Sequence, residues 1–413
     1  GAIYINPAST STSIYDSVFE NNSAQNANAT SKGGAVYNSS TLYLSGTEFS
    51  GNTSSFGGAI YNNASTYVVN SVFNANSVNS NAGAIHSNNK LIIGNSTFTG
   101  NNAICGGALY IYSGTATIGS TVFGGEIAEY GNTAVNNGGA ICMEDATVNI
   151  YDSIFSYNQA GIGAAIFKSG GTLNIYGSTF ENNTAGSSGI IVNTAGNLNI
   201  KNSTFANNAA NNGHGVINSS TGIVNITNSK FLENTAESTA VVDADSADLY
   251  IENSIFEGNT SNTKAIIGKG VQGHLVIKNS IFKNNTIENI NSNQNGGIIQ
   301  NYSSDATIIA DGGITEFSGN LINGQSNSIT NTSSASVLYL NASKSGSFII
   351  NDNISSTYKS NININATHPL SDGTSAPTDG NIQMNGKFIG SSVILNNGSL
   401  TLGEYGQNSN GYF

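Results

Sequence analysis

The sequence predicts an all-β solenoid, and three periodic features predict it. Twelve phenylalanines recur at gaps of 30, 24, 25, 25, 32, 25, 25, 26, 25, 26 and 35 residues, from Phe19 to Phe317. Eleven of them carry Asn three positions later, from Asn22 to Asn320, and Phe123 alone has Glu126 there. A Gly-Gly-Ala motif or a degraded form of it follows most of them, as in GGAVY at 33–37, GGAIY at 57–61 and GGALY at 106–110. An alternating apolar pair completes the unit, as in LYL at 42–44, LII at 91–93 and LNI at 173–175. A fixed period with occasional excess means one structural unit repeated with insertions.

Each apolar segment has three to five residues, too short for a helix, and alternates with period two, which marks strands. Asn, Gly and Ser clusters between them read as turns. Three short strands per coil of about 25 residues give a parallel β-helix. It is expected to be right-handed, because parallel crossovers are. Equivalent residues of successive coils then stack about 4.8 Å apart. The Phe positions become an interior aromatic column, each buried ring contributing roughly 1.5–3 kcal/mol. Asn after Phe can pass amide hydrogen bonds along its own column and tolerates a left-handed corner. The Gly pair permits positive φ or close backbone approach.

Composition agrees. Charged residues are 9% of 413 residues, against about 25% in ordinary soluble proteins, as stacked like charges would repel at every coil. The solubilising groups are neutral: 66 residues are Asn. Net charge is −12, every basic residue is Lys and there is no Arg. Nucleic-acid partners lean on basic patches and bidentate Arg, so they are discounted. No run of 18 apolar residues suggests a membrane-spanning helix. The chain opens on GAIY, inside a repeat motif, and so reads as a piece of a longer one.

Domain organisation follows the period. Residues 1–320 are expected to be regular coils, with the Gly-Gly-Ala motif eroding in HGVIN at 214–218, TAVV at 239–242 and KAII at 264–267. Residues 321–413 read as irregular continuing coils, with apolar runs such as VLYL at 337–340 and VIL at 393–395. The spacing from Phe to the Gly pair lengthens in three coils, placing excursions at 26–32, 126–136 and 287–295. All three are expected at one loop position, where projecting loops either bind partners or drift neutrally.

Chemistry is sparse. Asp243, Asp245 and Asp248 form the one dense acidic group; it reads as a carboxylate pair, a weak calcium site or a solvated corner. His86, His214, His274 and His368 fall in different coils, so no metal cluster is expected. Tyr4, Tyr37, Tyr61 and Tyr110 beside the Gly pair form either an outward aromatic strip for glycan or protein contact or a partly buried ladder. Cys105 and Cys142, aligned on the Gly pair, lie in adjacent coils five residues apart along the strand. That is about 16 Å, beyond the roughly 7 Å a disulfide spans, so both are expected to be small buried residues. No catalytic, cofactor-binding or metal-ligating residue is assigned.

The fixed order of GGA[I/L/V] and FxxN over residues 1–320 resembles the repeats of the polymorphic membrane proteins of Chlamydia-type bacteria. Adhesin-like proteins of other microbes carry similar repeats. The stretch GKFIGSSVILNNGSLTLG at 386–403 resembles the end of an autotransporter passenger. The resemblance implies a right-handed β-helical passenger, exported, displayed on the cell surface and adhesive, with a host-cell protein or glycan as partner and no catalysis. A subunit of a self-assembling extracellular fibre or surface layer is the alternative, and a glycan-active β-helix enzyme a third reading.

Overall fold

In a computed structural model, the structure describes residues 1–24, 30–289, 296–302, 305–331, 337–356, 361–370, 373–390 and 392–403. The chain forms two compact units, residues 1–199 with 203–212, and residues 200–202 with 213–413. Both are built from parallel β-coils, as the sequence predicts.

One coil of the first unit shows the construction. Thr41–Ser45 carries the alternating apolar pair, Glu48–Ser50 carries Phe49, Thr53–Phe56 follows the ladder Asn, and Ile60–Asn62 ends the Gly motif. The first and last of these belong to the same sheet, so four strands make three faces. In two coils they fuse into the 11-residue strands Leu109–Gly119 and Ile141–Tyr151. Thr53–Phe56 and its equivalents were read from the sequence as a link, because they lack the alternating large apolar residues; they make the third sheet. Strands pair in parallel and in register with the next coil, for example Phe49↔Phe73 and Tyr67↔Ile92.

Three corners per coil turn the chain, each through a left-handed residue: Gly46, Gly51 and Gly57 in this coil, with φ of 61°, 62° and 63°. The corner after Phe corrects one expectation. The left-handed residue is the one before the ladder Asn, as in Ala75, Asn182 and Asn207 (φ 52°, 54° and 53°), so the ladder Asn itself is kept for hydrogen bonding.

The phenylalanines stack as predicted. From Phe19 to Phe205 in the first unit, successive ring centroids are 4.5–5.0 Å apart and nearly parallel. Phe231, Phe256, Phe282 and Phe317 repeat this in the second unit at 4.7–4.9 Å. There the column passes from Phe317 to Ile350, Met384 and Leu402, where the sequence period lapses.

Beside each ring runs the Asn ladder. Asn76 is fully buried. Its Nδ2 donates to Phe49 O at 2.9 Å and Asn101 Oδ1 at 3.0 Å, while its Oδ1 accepts the backbone N–H and the Nδ2 of Asn52 at 3.0 and 2.9 Å. All four capacities of the amide are used. The apparent gap at Glu126 closes: Asn132 takes that place, donating to Asn158 Oδ1 at 3.0 Å and Phe98 O at 2.8 Å. The extra residues of this coil therefore lie between Phe and Asn, from Gly124 to Gly131, with a 3-10 turn at Ala128–Tyr130. Excursion 126–136 thus begins between Phe and Asn, before the ladder position rather than after it. Of the excursions expected at 26–32 and 287–295, residues 26–29 and 290–295 lie outside the described residues.

A second ladder went unread in the sequence. Where the residue two positions before Phe is Ser, its hydroxyl accepts the equivalent backbone N–H of the preceding coil, as in Ser71 N to Ser96 Oγ at 3.1 Å and Ser153 N to Ser178 Oγ at 3.2 Å. The S-T-F triplets carry it, and Ser is common enough here to hide the signal.

Among the described residues two lysines are wholly buried, Lys168 in the first unit and Lys269 in the second. Lys168 sits in register between Met143 and Asn193, and its Nζ donates to Asn193 Oδ1 at 2.6 Å and to Ala195 O. Lys269 Nζ donates to the carbonyls of Asp245 and Gly270, at 3.2 and 3.3 Å, and of Gln272. Burial disfavours the charged form and lowers both lysines to about 8. Because the folded value lies below the ordinary one, the unfolded chain binds more protons between about pH 8 and the usual lysine range near 10.4. The stability of the native chain relative to a Lys168→Met, Lys269→Met variant should therefore rise as pH goes from 8 to 9.5. Urea midpoints of the two proteins would show this, and a falling difference would mean that the fold favours the ammonium form.

Candidate ligand-binding groove

The Gly-pair corner shapes the most distinctive surface of the first unit. Its first residue is left-handed. Its second brings backbone against backbone: a Cβ on Gly58 would lie 2.1 Å from Gly83 O. No other residue fits, and the chain turns sharply enough to leave a concave angle outside. The residue before the Gly pair lines one wall and the fifth residue of the motif lines the other. Phe56 and His86 meet across it edge to face, with centroids 5.8 Å apart.

Tyr4, Tyr37, Tyr61, His86 and Tyr110 form one stacked column along the second wall, with centroids 4.7–5.4 Å apart. Tyr4 is 64% exposed, whereas Tyr61, His86 and Tyr110 are buried. The column is thus a partly buried ladder, open to solvent at Tyr4. Ring faces are spent on one another, so edges and hydroxyls turn outward. Lys32 Nζ lies 4.5 Å from the Tyr61 centroid, a cation–π contact.

Phe56, Tyr61, Asn81, His86, Asn88, Tyr110, Tyr112 and Ser113 line a shallow, open groove of about 460 Å³. Asn88 organises it: its Nδ2 donates to the Tyr61 hydroxyl at 2.7 Å, and its Oδ1 lies 3.0 Å from His86 Nε2. Burial, the largest effect, lowers His86 to about 4. The imidazole is therefore neutral at pH 7 and donates Nε2–H to Asn88. Burial together with a hydrogen bond to Glu144 pushes the Tyr110 phenol up, so it too stays neutral. No residue lining the groove carries a charge at neutral pH, and Tyr112 stands 52% exposed at its edge.

The same corner one coil further on corrects the reading of the cysteines. Cys142 pairs in register with Tyr110, and Cys105 stands on the opposite wall before its Gly pair. Both are free thiols, Cys142 buried as expected, and both pack into one cluster with Ala82, Tyr110 and Phe167. The predicted separation measured distance along a straight strand, but the chain folds back at the corner between them.

In the second unit, Asp243 and Asp245 line a polar groove of about 350 Å³ with His214, Lys264, Lys269 and Gln300. His214 Nδ1 is in contact with Asp243 Oδ2. Asp248 does not line the groove; it stands near Lys269 and accepts the backbone N–H of His274 at 2.8 Å. The sequence showed the two carboxylates but not their partners, which come from neighbouring coils. Among the described residues no group of three or more His, Cys, Asp or Glu could hold a metal ion. Nor is any helix among them long and apolar enough to cross a membrane.

A family model described as a right handed beta helix region matches residues 103–250. Comparison with curated proteins and with solved structures gives no match. Taken with the parallel coils of both units, the match gives the fold: the chain is a right-handed parallel β-helix.

Proposed function

We propose that this β-helix is an exported surface protein of adhesive type, and that its groove between Phe56 and Tyr112 takes a neutral carbohydrate. The observation that carries the reading is the groove's chemistry. It combines aromatic edges, amides and hydroxyls without a charged residue. Such a surface suits hydroxyl-rich, uncharged ligands, which are held by apolar walls and a few placed polar groups. The repeat resemblance to microbial adhesins supports export and attachment.

The test is binding of the purified chain to a panel of neutral oligosaccharides, with Tyr112→Ala as the probe. Tyr112 is exposed, so its loss should leave the coils intact. Affinity should fall about tenfold, or ~1.4 kcal/mol, while Tyr151→Ala, an exposed tyrosine outside the groove, should bind normally. Absence of binding by the native chain, or equal binding by the Tyr112 variant, would reject the reading.

The polar groove of the second unit favours a second reading, a glycan-active enzyme. His214 beside Asp243, with Asp245 in the same groove, is an arrangement that could move a proton during glycosidic cleavage. Release of reducing ends from a polysaccharide panel, abolished by Asp243→Asn, would establish it. A native chain that releases none would dismiss it.

A further inference from the structure

We infer that Cys105 and Cys142 form a redox-sensitive thiol pair that closes into a disulfide between adjacent coils when a small-molecule disulfide is supplied. The two side chains face each other across the concave corner, in one packed cluster with Tyr110. The Phe56–His86 contact shows the same two positions meeting across this corner in an earlier coil. In the cysteine coil both positions carry sulfur, and both thiols are free.

The two sulfurs are unequal, and this sets the order of events. Cys105 is half-buried and Cys142 buried. The adjoining Cys142 thiol and, more weakly, the backbone N–H of Asn137 favour the Cys105 thiolate. Together they hold it below the ordinary thiol range, against burial and the nearby Glu144 carboxylate. The adjoining Cys105 sulfur, with burial, keeps Cys142 protonated. The thiolate is the nucleophile in exchange, so Cys105 reacts first.

With oxidised glutathione, the Cys105 thiolate attacks one sulfur, the reagent's S–S bond breaks, and one glutathione leaves as thiolate. Cys142 then loses its proton and attacks the Cys105 sulfur of the mixed disulfide, expelling the second glutathione. Two protein thiols are oxidised, one reagent disulfide is reduced to two thiols, and both thiol protons pass to water or to the departing thiolates. The ring so closed contains the excursion from Gly124 to Gly131, the one long link in the described part of the first unit. Cross-linking a loop restrains the unfolded chain, so oxidation should also raise the thermal midpoint.

The experiment uses the whole chain, reduced, desalted and incubated with oxidised glutathione, then read by intact-mass and peptide mass spectrometry. The native chain should lose the two thiol hydrogens and yield one peptide pair joined through Cys105 and Cys142. Cys142→Ser should stop at one glutathione on Cys105, and Cys105→Ser should remain unmodified under native conditions. Circular dichroism of each variant checks that the coils are formed. Two free thiols persisting in the native chain, or glutathione accumulating on it without closure, would overturn the proposal.

Discussion

Replacing Asn101 by leucine is expected to destabilise the first unit by roughly 3–5 kcal/mol, although leucine fills nearly the same volume. The Asn101 side chain makes four hydrogen bonds in a fully buried place. Its Nδ2 donates to Phe73 O and Asn132 Oδ1, both at 2.9 Å. Its Oδ1 accepts the backbone N–H and the Nδ2 of Asn76, both at 3.0 Å. Leucine takes one hydrogen bond from each of these four partner groups, in coils on both sides, although Asn132 Oδ1 keeps the N–H of residue 101 and the Asn76 amide keeps Phe49 O. Each orphaned buried group costs on the order of 1–3 kcal/mol, with relaxation recovering part of the sum. Asn101→Asp should be no better, because a carboxylate keeps the acceptors but loses both donors. Asn95 is the control. It is exposed and left-handed (φ 46°) and makes a single side-chain bond, to Asn70, so Asn95→Gly should stay within about 0.5 kcal/mol. Urea midpoints give the ranking. Hydrogen exchange at the Asn76 amide should report the lesion locally, since neighbouring coils in a repeat protein are coupled but need not unfold together.

Phe98→Ala is expected to cost about 3–5 kcal/mol, the usual range for deleting a buried aromatic ring. Phe98 is fully buried, with Phe73 4.6 Å away on one face and Phe123 5.0 Å away on the other. Deletion removes buried area, leaves a cavity in a close-packed column and ends two ring contacts worth roughly 0.5–1.5 kcal/mol each beyond area. Leucine should recover more than half the loss. Phe19 separates stacking from position: it touches one ring, Phe49, and is only partly buried, so Phe19→Ala should cost less than about 2 kcal/mol. Equal losses at Phe19 and Phe98 in thermal or urea unfolding would mean that the column is not cooperative.

Both effects were legible in the sequence, for a physical reason. In parallel coils every equivalent residue meets its own copies, so a residue that packs well on itself recurs at the coil period. Phe and Asn do so, and their columns could be read off the spacing. The third sheet could not, because Thr53–Phe56 and its equivalents bury small residues and break register by bulges, leaving no alternation to see. The continuity of the ladder through Asn132 was hidden because an insertion moved Asn away from its fixed distance to Phe. The groove was half legible. Tyr4, Tyr37, Tyr61 and Tyr110 announced a column, but its far wall comes from the residue before each Gly pair, and only the turn of the chain joins the two. For that reason straight-strand arithmetic held Cys105 and Cys142 apart. The pairing of His214 with Asp243 was likewise invisible, because it joins residues of different coils at non-equivalent positions.

The Asn ladder also has a direction. Within each unit one Nδ2 hydrogen of the described ladder links points to the oxygen of the following coil, so the column runs one way, each link polarising the next. A chain of this kind stops at a group that accepts without donating. In the second unit Asn320 meets the Oδ2 of buried Asp352 at 2.8 Å, and Ser328 Oγ donates to the same oxygen at 2.7 Å. A carboxylate has nothing to hand on. Asp352 is therefore a terminator written in a single side chain, and coils that follow must be held by means other than the amide relay.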